Sequence, residues 1–525
     1  MKKRLILLSM CFLFSITDLF SIDIESLDTL VYLNEIKFHS DLEKEAFLEY
    51  FDGEENDFLK LFIAKDGKIT NTEYLKYLTN FNKYVSILKT DKNSTKPNKK
   101  KVKYYFKRIH DDYLVKYERI IFFPNIFKNG YYNCVTGSIF YSLIFEELKL
   151  PYTIKVSPVH TYVVAYPNRE SIIVETTAPL KGYFVFNESF KQNYVKYLKD
   201  NKLISIQEYN SSSADLLFDK YYFKEKDITL KEMVGIQYSN DAIEKIQNQK
   251  FEEAFYELEK AYLFYPSDEI VYLLYYCAAM VIDMQDFSDL KYVDFLYKIA
   301  RYKRYGINRE QIVGEFGRIT QNQLNYKGQY DLYDEIFVKL YNNLEDENTK
   351  KEISFIYNYE KAKLFIRNEK SVKAFSHIEE ALKIRPKHLD LQTMFLYALA
   401  NKYEPSDFND ENLNKIESYG EKIPVLKDNS IYCDMVCDAY IYIAIQNYEE
   451  GNLDKAVKYH SKFTEYINNN SDYTNYEYNV SRLYSSAAVY YFRKGYTKKA
   501  KSIILEGLKL VPESYELKQR LKVFN

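Results

Sequence analysis

Three residues in the first third of the chain, Cys134, His160 and Glu175, could together perform nucleophilic chemistry. A thiol attacks a carbonyl group once a base has taken its proton, an imidazole is a suitable base, and a carboxylate can hold that imidazole in the right tautomer. Residues of these three types occur by chance in any chain of 525 residues. The evidence that these three residues form a site therefore depends on their positions in the predicted helices and strands.

The sequence around Cys134 predicts a buried helix that begins at or near this cysteine. Apolar residues continue to Leu148, shortly before Pro151, and Asn133 suits the turn that leads in. The dipole and the unpaired N–H groups of a helix start favour a thiolate placed there. The backbone N–H of Cys134 is one candidate donor to an oxyanion, and the side chains of Asn133 and Tyr132 are alternatives for a second donor.

The residues after this helix predict three strands, over 152–156, 159–166 and 171–177. The turn residues Pro167 and Asn168 separate the last two strands. A hairpin that is symmetrical about this turn places His160 opposite Glu175, with both side chains on one face. A register slip of one residue would move Glu175 to the other face.

The order of these elements and residues resembles the transglutaminase-like superfamily, which shares the papain-type core. The resemblance covers about residues 128–180. The link Leu148-Lys149-Leu150-Pro151-Tyr152 is similar to the family's L-G-I-P-A link, and Val174-Glu175-Thr176-Thr177 is similar to its V-D-P-T strand. The resemblance implies that Cys134 is the nucleophile, His160 the base and Glu175 the orienting acid. The implied reaction is acyl transfer or amide hydrolysis through a thioester, with no cofactor and no metal.

The chain departs from this family pattern at three places. Val135–Ser138 contains no acidic residue, Tyr162 stands where the family commonly has an aromatic residue that is often Trp, and Glu175 replaces Asp. Two hypotheses therefore stay open. The first is a cysteine-dependent peptide or amide hydrolase or acyl transferase, and the second is a non-catalytic interaction scaffold with an inactive transglutaminase-like domain.

The C-terminal half repeats one spacing of small and bulky residues. The clearest window contains Tyr484, Ala487, Ala488, Tyr491, Gly495, Ala500, Ile504, Gly507 and Pro512. The other windows contain Ala362, Phe365, Ala374, Ile378, Ala381 and Pro386; Ala242, Ala254, Leu258, Ala261 and Pro266; and Ala444, Gly451, Ala456 and Phe463. Small residues let two antiparallel helices approach closely, and a proline ends the second helix. This spacing resembles the tetratricopeptide (TPR) repeat, which implies binding of a protein or peptide; an unrelated helical bundle is the alternative.

Composition narrows the classes of partner. Lys and Arg total 73 and Asp and Glu total 75, so the basic excess of a nucleic-acid binder is missing. The one strongly basic stretch, Lys92–Lys103, is predicted to be a solvated loop, with contact to an anionic surface as the alternative. Cys433 and Cys437 would share one helix face, as core residues or, less simply, as part of a metal site.

The first residues predict export. Lys2, Lys3 and Arg4 precede the apolar run Leu5–Ile16, which is too short to span a bilayer and is typical of a signal peptide. The processed protein is expected to have no membrane span and to be periplasmic or secreted. Lipid attachment at Cys11 is the alternative.

The predicted fold is an α+β transglutaminase-like domain followed by an all-α TPR-type helical-repeat solenoid. The predicted segments are a signal peptide (1–21), a helical N-terminal region (22–127), the transglutaminase-like core (128–205), a linker or docking segment (206–235) and the TPR-like repeats (236–525).

Overall fold

The computed structural model describes residues 30–53, 57–157, 160–176, 204–214, 226–302, 308–469 and 476–524, with Tyr473 and isolated positions between 192 and 220. The predicted signal peptide, with Cys11, lies outside the described residues. The described chain is mostly helical and contains two small sheets. It divides into two compact units: a first unit with the residues before 286 and those from 294 to 302, and a second unit with residues 286–293 and those from 308 onward.

The first unit combines helices and strands. Its helices are α1 (Asp41–Phe51), α2 (Phe58–Ala64), α3 (Asn71–Thr90), α4 (Asn98–Tyr113), α5 (Asn125–Lys128), α6 (Cys134–Glu147), α7 (Ile206–Ser211), α8 (Leu230–Gln247), α9 (Phe251–Phe264), α10 (Asp268–Met284) and, except for its first residue, α11 (Val293–Ile299). Its strands are β1 (Lys116–Tyr117), β2 (Tyr131–Tyr132), β3 (Tyr152–Ser157), β4 (His160–Ala165), β5 (Ile172–Val174) and β6 (Lys226–Ile228).

Two sheets surround the start of α6. Strands β1 and β2 pair in parallel, and the other four strands form an antiparallel sheet in the order β5-β4-β3-β6. Helix α6 packs against β3 and β4, and every residue from Val135 to Phe145 is buried. A helix that is apolar on all sides needs such cover. The predicted helix and strands of this region are therefore present.

Three sequence-based predictions differ from this part of the structure. The aromatic pattern of residues 104–120 predicts a helix over that range, but the helix begins at Asn98 and ends at Tyr113. The second half of the lysine-rich stretch lies in this helix and Lys92–Thr95 forms a 3₁₀ helix, so most of the predicted loop is helical. The backbone after Tyr113 leaves the helix because Glu118 N–H donates to the Tyr132 carbonyl at 2.8 Å, in the β1–β2 pair. The segment predicted as a linker or docking segment is more than a connection, because it supplies β6, in which Ile228 pairs with Ile154.

A buried network of charges joins the N-terminal helices of the first unit to α8 and α9. The Lys260 ammonium and the Glu43 carboxylate are fully buried and lie 2.9 Å apart. The carboxylate of Glu257 is also fully buried and forms ion pairs with Lys65 at 3.1 Å and Lys245 at 2.5 Å. Charges removed from water need such partners. The first predicted repeat is thus structurally part of the same unit as the Cys134 helix.

All regular secondary structure in the described residues of the second unit is helical. Its helices are α12 (Arg309–Ile319), α13 (Tyr330–Asn343), α14 (Glu347–Arg367), α15 (Ser371–Ile384), α16 (Leu389–Ala400), α17 (Asp410–Lys422), α18 (Ser430–Glu450), α19 (Leu453–Asn469), α20 (Tyr476–Arg493), α21 (Thr497–Leu510) and α22 (Tyr515–Lys522), with a π-helical stretch at Thr320–Tyr326. Successive helices pack as pairs, notably α14 with α15, α18 with α19 and α20 with α21.

The repeated small residues lie where the sequence predicts close helix contacts. Ala362, Ala374, Ala444, Ala456, Ala487 and Ala500 are all completely buried. Gly451 and Gly495 follow the first helix of their pairs and have φ angles of +86° and +82°, which a glycine adopts without strain. The predicted helix pairs are therefore confirmed. Within the described part of the chain, no helix has both the length and the apolar content that a bilayer crossing needs.

Candidate active site

Cys134 is the first residue of α6, as the sequence predicts. The Asn133 side chain accepts a hydrogen bond from the Thr136 N–H at 2.8 Å, and the Thr136 hydroxyl accepts one from the Asn133 N–H at 2.8 Å. This reciprocal capping box makes Asn133 the N-cap residue, so the helix begins at Cys134. The half-buried thiol therefore lies among first-turn N–H groups that have no acceptor within the helix.

Cys134 differs from the other described cysteines in its exposure. Cys277, Cys433 and Cys437 are buried, whereas Cys134 is partly exposed. Burial raises the pKa of Cys277 to about 12, and burial also raises the pKa of Cys437. Cys433 and Cys437 lie in the hydrophobic interior of the second unit on α18. Among the described cysteines, Cys134 is thus the thiol most accessible to a substrate or reagent.

His160 and Glu175 form the second part of the site. His160 begins β4, and its Nε2 lies 2.6 Å from Oε2 of Glu175. Their side chains are 26% and 15% exposed, so both are largely shielded from water. The carboxylate can therefore hold the imidazole ring in one orientation.

The pairing of β4 with β5 differs from the predicted register. Val163 pairs with Val174, and continuing this register places Glu175 opposite Tyr162 rather than opposite His160. The centre of the hairpin lies one residue further along the chain than predicted, which shifts the pairing by two. A shift of two keeps side chains on the same face. Glu175 therefore reaches His160 diagonally, a distance that suits a long side chain.

The imidazole of His160 connects the thiol to the carboxylate. Burial opposes the charged form of the ring, but a hydrogen bond with Cys134 and a hydrogen bond with Glu175, together with the charges of both groups, outweigh it and raise the pKa of His160 to about 10. Because Glu175 occupies Nε2, Nδ1 is the ring nitrogen left for the hydrogen bond with Cys134. The three predicted residues are thus brought together as one hydrogen-bonded series.

No protein-family model matches the chain, and no curated protein matches it in sequence.

Two contacts from the second turn of α6 set the positions of His160 and Glu175. The Ser138 hydroxyl donates to the carbonyl of Thr161 at 3.1 Å, and both residues are buried. Gly137 lies so close to Thr176 that a Cβ at this glycine would be 3.0 Å from the Thr176 Cβ. Thr161 follows His160 and Thr176 follows Glu175, so one helical turn positions both partners of the thiol.

His110, on α4, is a supporting residue that the sequence did not reveal. Its Nε2 lies 3.1 Å from the carbonyl of Thr176, and its Nδ1 lies 2.7 Å from the hydroxyl of Tyr141. Burial lowers the pKa of His110, which favours the neutral ring. Nδ1 also lies 3.2 Å from the carbonyl of Phe106, and the tautomer with its hydrogen on Nε2 donates to the carbonyl of Thr176. His110 thereby holds the backbone next to Glu175.

The remaining residues predicted for the site surround it. Tyr162 is buried, and its ring stacks near the His160 ring with centroids 6.1 Å apart. The Asn133 amide nitrogen donates to the Arg119 carbonyl at 3.1 Å. Tyr132 is 3% exposed and meets the His110 ring edge to face. These side chains shape and support the surroundings of the thiol.

The arrangement contains the groups that can activate a thiol as a nucleophile. A thiol at a helix start lies next to an imidazole that is favoured in its protonated form, and a carboxylate holds the far side of the ring. Such a series can supply a thiolate and keep the displaced proton within reach of a leaving group.

Proposed function

We propose that this protein is a cysteine-dependent hydrolase or acyl transferase, with a transglutaminase-like domain, that acts on amides of a peptide or protein. The observation that carries the proposal is the position of His160, whose ring bridges the thiol of Cys134 and the carboxylate of Glu175. A histidine that only packs in a core does not need to bond both to a carboxylate and to a cysteine. Cys134 is the one partly exposed cysteine among those that the structure describes.

The proposed reaction begins with the Cys134 proton on His160. The sulfur attacks the carbonyl carbon of the substrate, a C–S bond forms, and the carbonyl π electrons move to oxygen. When this intermediate collapses, the C–N bond breaks and His160 gives its proton to the leaving amine, so that a thioester remains on Cys134. Water or an acceptor amine then attacks the thioester, His160 takes the proton from that nucleophile, and the sulfur leaves.

Glu175 has a positioning role in this scheme. Its contact with Nε2 keeps Nδ1 directed toward the sulfur and stabilises the positive charge of the ring. The longer side chain of Glu compared with Asp suits the diagonal placement in the hairpin. The departure from the family pattern at this position is therefore compatible with activity.

The helix pairs suggest how a macromolecular substrate would be recruited. We propose that they form a TPR-type repeat solenoid that binds a protein or peptide. The buried alanines and the two left-handed glycines support this proposal, because they are what paired helices in such repeats need. The charged start and apolar run of residues 1–21 support export to the periplasm or the exterior.

A non-catalytic scaffold is the second candidate, and one observation favours it. The buried ion pair of Glu43 with Lys260 joins the N-terminal helices to α9 of the first predicted repeat. Helical arrays need a terminal cap to cover the end of their core. Within the first unit, the residues around Cys134 would then be the cap of α8 and α9, and the helix pairs alone would carry the function.

Thiol labelling separates the two candidates. Purified protein is treated with iodoacetamide at pH 7, and alkylation of Cys134 is followed by peptide mass spectrometry in the wild type and in His160→Gln. The active-site hypothesis predicts that Cys134 reacts faster than the cysteine of a short peptide, and that His160→Gln slows it roughly 100-fold. His377→Gln, at a half-buried histidine of the second unit, is the matched control and should change nothing. Equal alkylation rates in wild type and His160→Gln would leave the scaffold as the function.

A further inference from the structure

A thiol site that performs acyl transfer needs hydrogen-bond donors for the oxyanion as well as a base. The backbone N–H of Cys134, at the start of α6, is one such donor. The amide nitrogen of Asn133 already donates to Arg119, and Tyr132 is buried against His110. The second donor must therefore come from another residue near the sulfur.

Tyr117 lies in the required neighbourhood. It pairs with Tyr132 in the β1–β2 sheet, and Tyr132 precedes Cys134 by two residues. The rings of Tyr117 and Tyr132 meet edge to face with their centroids 6.2 Å apart. The side chain of Tyr117 is 48% exposed, whereas that of Tyr132 is buried. Tyr117 is thus the more exposed member of the tyrosine pair that precedes Cys134.

The strand that carries Tyr117 is held firmly. Gly130 has a φ of +74°, and a Cβ at this position would lie 2.4 Å from a methyl group of Val115. The Val115 N–H donates to the Gly130 carbonyl at 2.8 Å, and the Glu118 N–H donates to the Tyr132 carbonyl at 2.8 Å. Tyr117 lies between Val115 and Glu118, and their backbone hydrogen bonds fix the position of the backbone that carries its ring.

The electrostatic surroundings keep the phenol protonated. Burial and the nearby charge of Cys134 raise the pKa of Tyr117, and Arg119 only partly opposes them. A Tyr whose pKa is raised stays a hydrogen-bond donor throughout the neutral range. The pairing of Tyr117 with Tyr132, two residues before Cys134, places the phenol beside the start of α6.

We propose that the hydroxyl of Tyr117 is the second oxyanion donor of the Cys134 site. This inference rests on the proposed function. When the thiolate attacks a carbonyl, the C–S bond forms and the negative charge moves to the carbonyl oxygen; the Tyr117 O–H donates a hydrogen bond to that oxygen and keeps its own proton. The bond is released when the intermediate collapses to the thioester and the leaving group departs.

Two reagents that differ in the need for an oxyanion test the proposal. p-Nitrophenyl acetate acylates a thiolate through a tetrahedral oxyanion, whereas iodoacetamide alkylates it at a saturated carbon without one. Both rate constants at Cys134 are measured in the full chain for the wild type, Tyr117→Phe and Tyr131→Phe. Tyr131 is the matched control, because it lies on the partner strand with its ring 4.9 Å from the Lys116 ammonium.

Tyr117→Phe should slow acylation by about 100-fold, the usual effect of losing one oxyanion donor, and should change alkylation by less than about two-fold. Tyr131→Phe should change neither rate. Acylation that is unaffected by Tyr117→Phe, or a parallel fall of both rates, would overturn the assignment. A wild-type Cys134 that reacts with iodoacetamide no faster than a peptide cysteine is a different result, because it refutes the proposed function itself and removes the assignment with it.

Discussion

The contact between Gly137 and Thr176 predicts that one added methyl group will disturb the site. In Gly137→Ala the new Cβ would meet the Thr176 Cβ at 3.0 Å, the Thr176 hydroxyl oxygen at 3.1 Å and a ring carbon of Tyr132 at 3.3 Å. Non-bonded carbon atoms prefer about 3.5–4.0 Å, so Thr176 must move by roughly 0.5 Å. Glu175 precedes Thr176 and would move with it.

The expected magnitude follows from two opposing terms. Overpacking of a tight interior site costs about 1–3 kcal/mol, and replacing a helical glycine with alanine stabilises by about 1 kcal/mol. Gly137→Ala should therefore lower the free energy of unfolding of the first unit by about 0–2 kcal/mol. The effect on chemistry should be larger, because functional groups need to be held within about 0.5 Å; we expect alkylation of Cys134 to slow about ten-fold or more.

Gly314 provides the matched control. It lies in α12, and a Cβ there would meet nothing within 4 Å. Gly314→Ala should therefore raise stability by about 1 kcal/mol and leave Cys134 unaffected. Urea unfolding and iodoacetamide labelling of the two variants give the comparison. If Gly137→Ala is stabilised as much as Gly314→Ala and labels at the wild-type rate, the close contact that positions Glu175 does not exist.

Three further predictions concern charge and backbone conformation. Because the pKa of His160 is raised from 6.5 to about 10, the stabilisation that its charged ring contributes should be complete below pH 6.5 and lost as the pH rises to 10. Urea unfolding should show the difference between wild type and His160→Gln shrinking by about 5 kcal/mol over that interval, and a difference that grows would contradict the assigned ion pairing. Lys260→Met leaves the buried carboxylate of Glu43 without its ammonium partner and should cost about 3–5 kcal/mol; a loss below about 1 kcal/mol in chemical denaturation would show that the pair is solvated. Gly495→Ala forces a side chain into the left-handed region and should destabilise the second unit by about 1 kcal/mol, with Gly495→Asn clearly milder, so equal thermal shifts for the two variants would argue against that backbone conformation.

The parts of the site that the sequence predicts correctly depend on local signals. Asn133 caps the helix and Pro151 limits it, so the start of α6 at Cys134 could be recognised from adjacent residues. The shared face of His160 and Glu175 survived an incorrect register because strand side chains alternate with a period of two. The register itself depends on the hairpin loop, where Tyr166 has a φ of +54°, and a tyrosine gives no sequence signal for a positive φ.

The supporting contacts could not be predicted because they join distant residues. His110 bonds to a carbonyl 66 positions away, and nothing in the residues around it distinguishes a histidine that supports a site from one that fills a core. Strand β6 is short, with the unremarkable sequence Lys226-Asp227-Ile228, and is defined by its pairing with β3 alone. Tyr117 lies in a strand because α4 ends at Tyr113. The aromatic pattern of residues 104–120 gives no sign of this helix end, since it predicts a helix that continues past Tyr117.

The buried pair of Glu43 and Lys260 also affects the time at which the thiol site can be completed. The two residues are 217 positions apart in sequence, and at a synthesis rate of about 5–20 residues per second this separation corresponds to roughly 10–40 s. During that interval the carboxylate must stay hydrated, so α1 and α2 cannot reach their final packing. The nucleophile, the base and the acid have all been synthesised by residue 175, yet the unit that holds them is completed only when α9 arrives. A chain that stops near residue 235 would carry every residue of the proposed chemistry and lack the helix that allows the surrounding unit to finish folding.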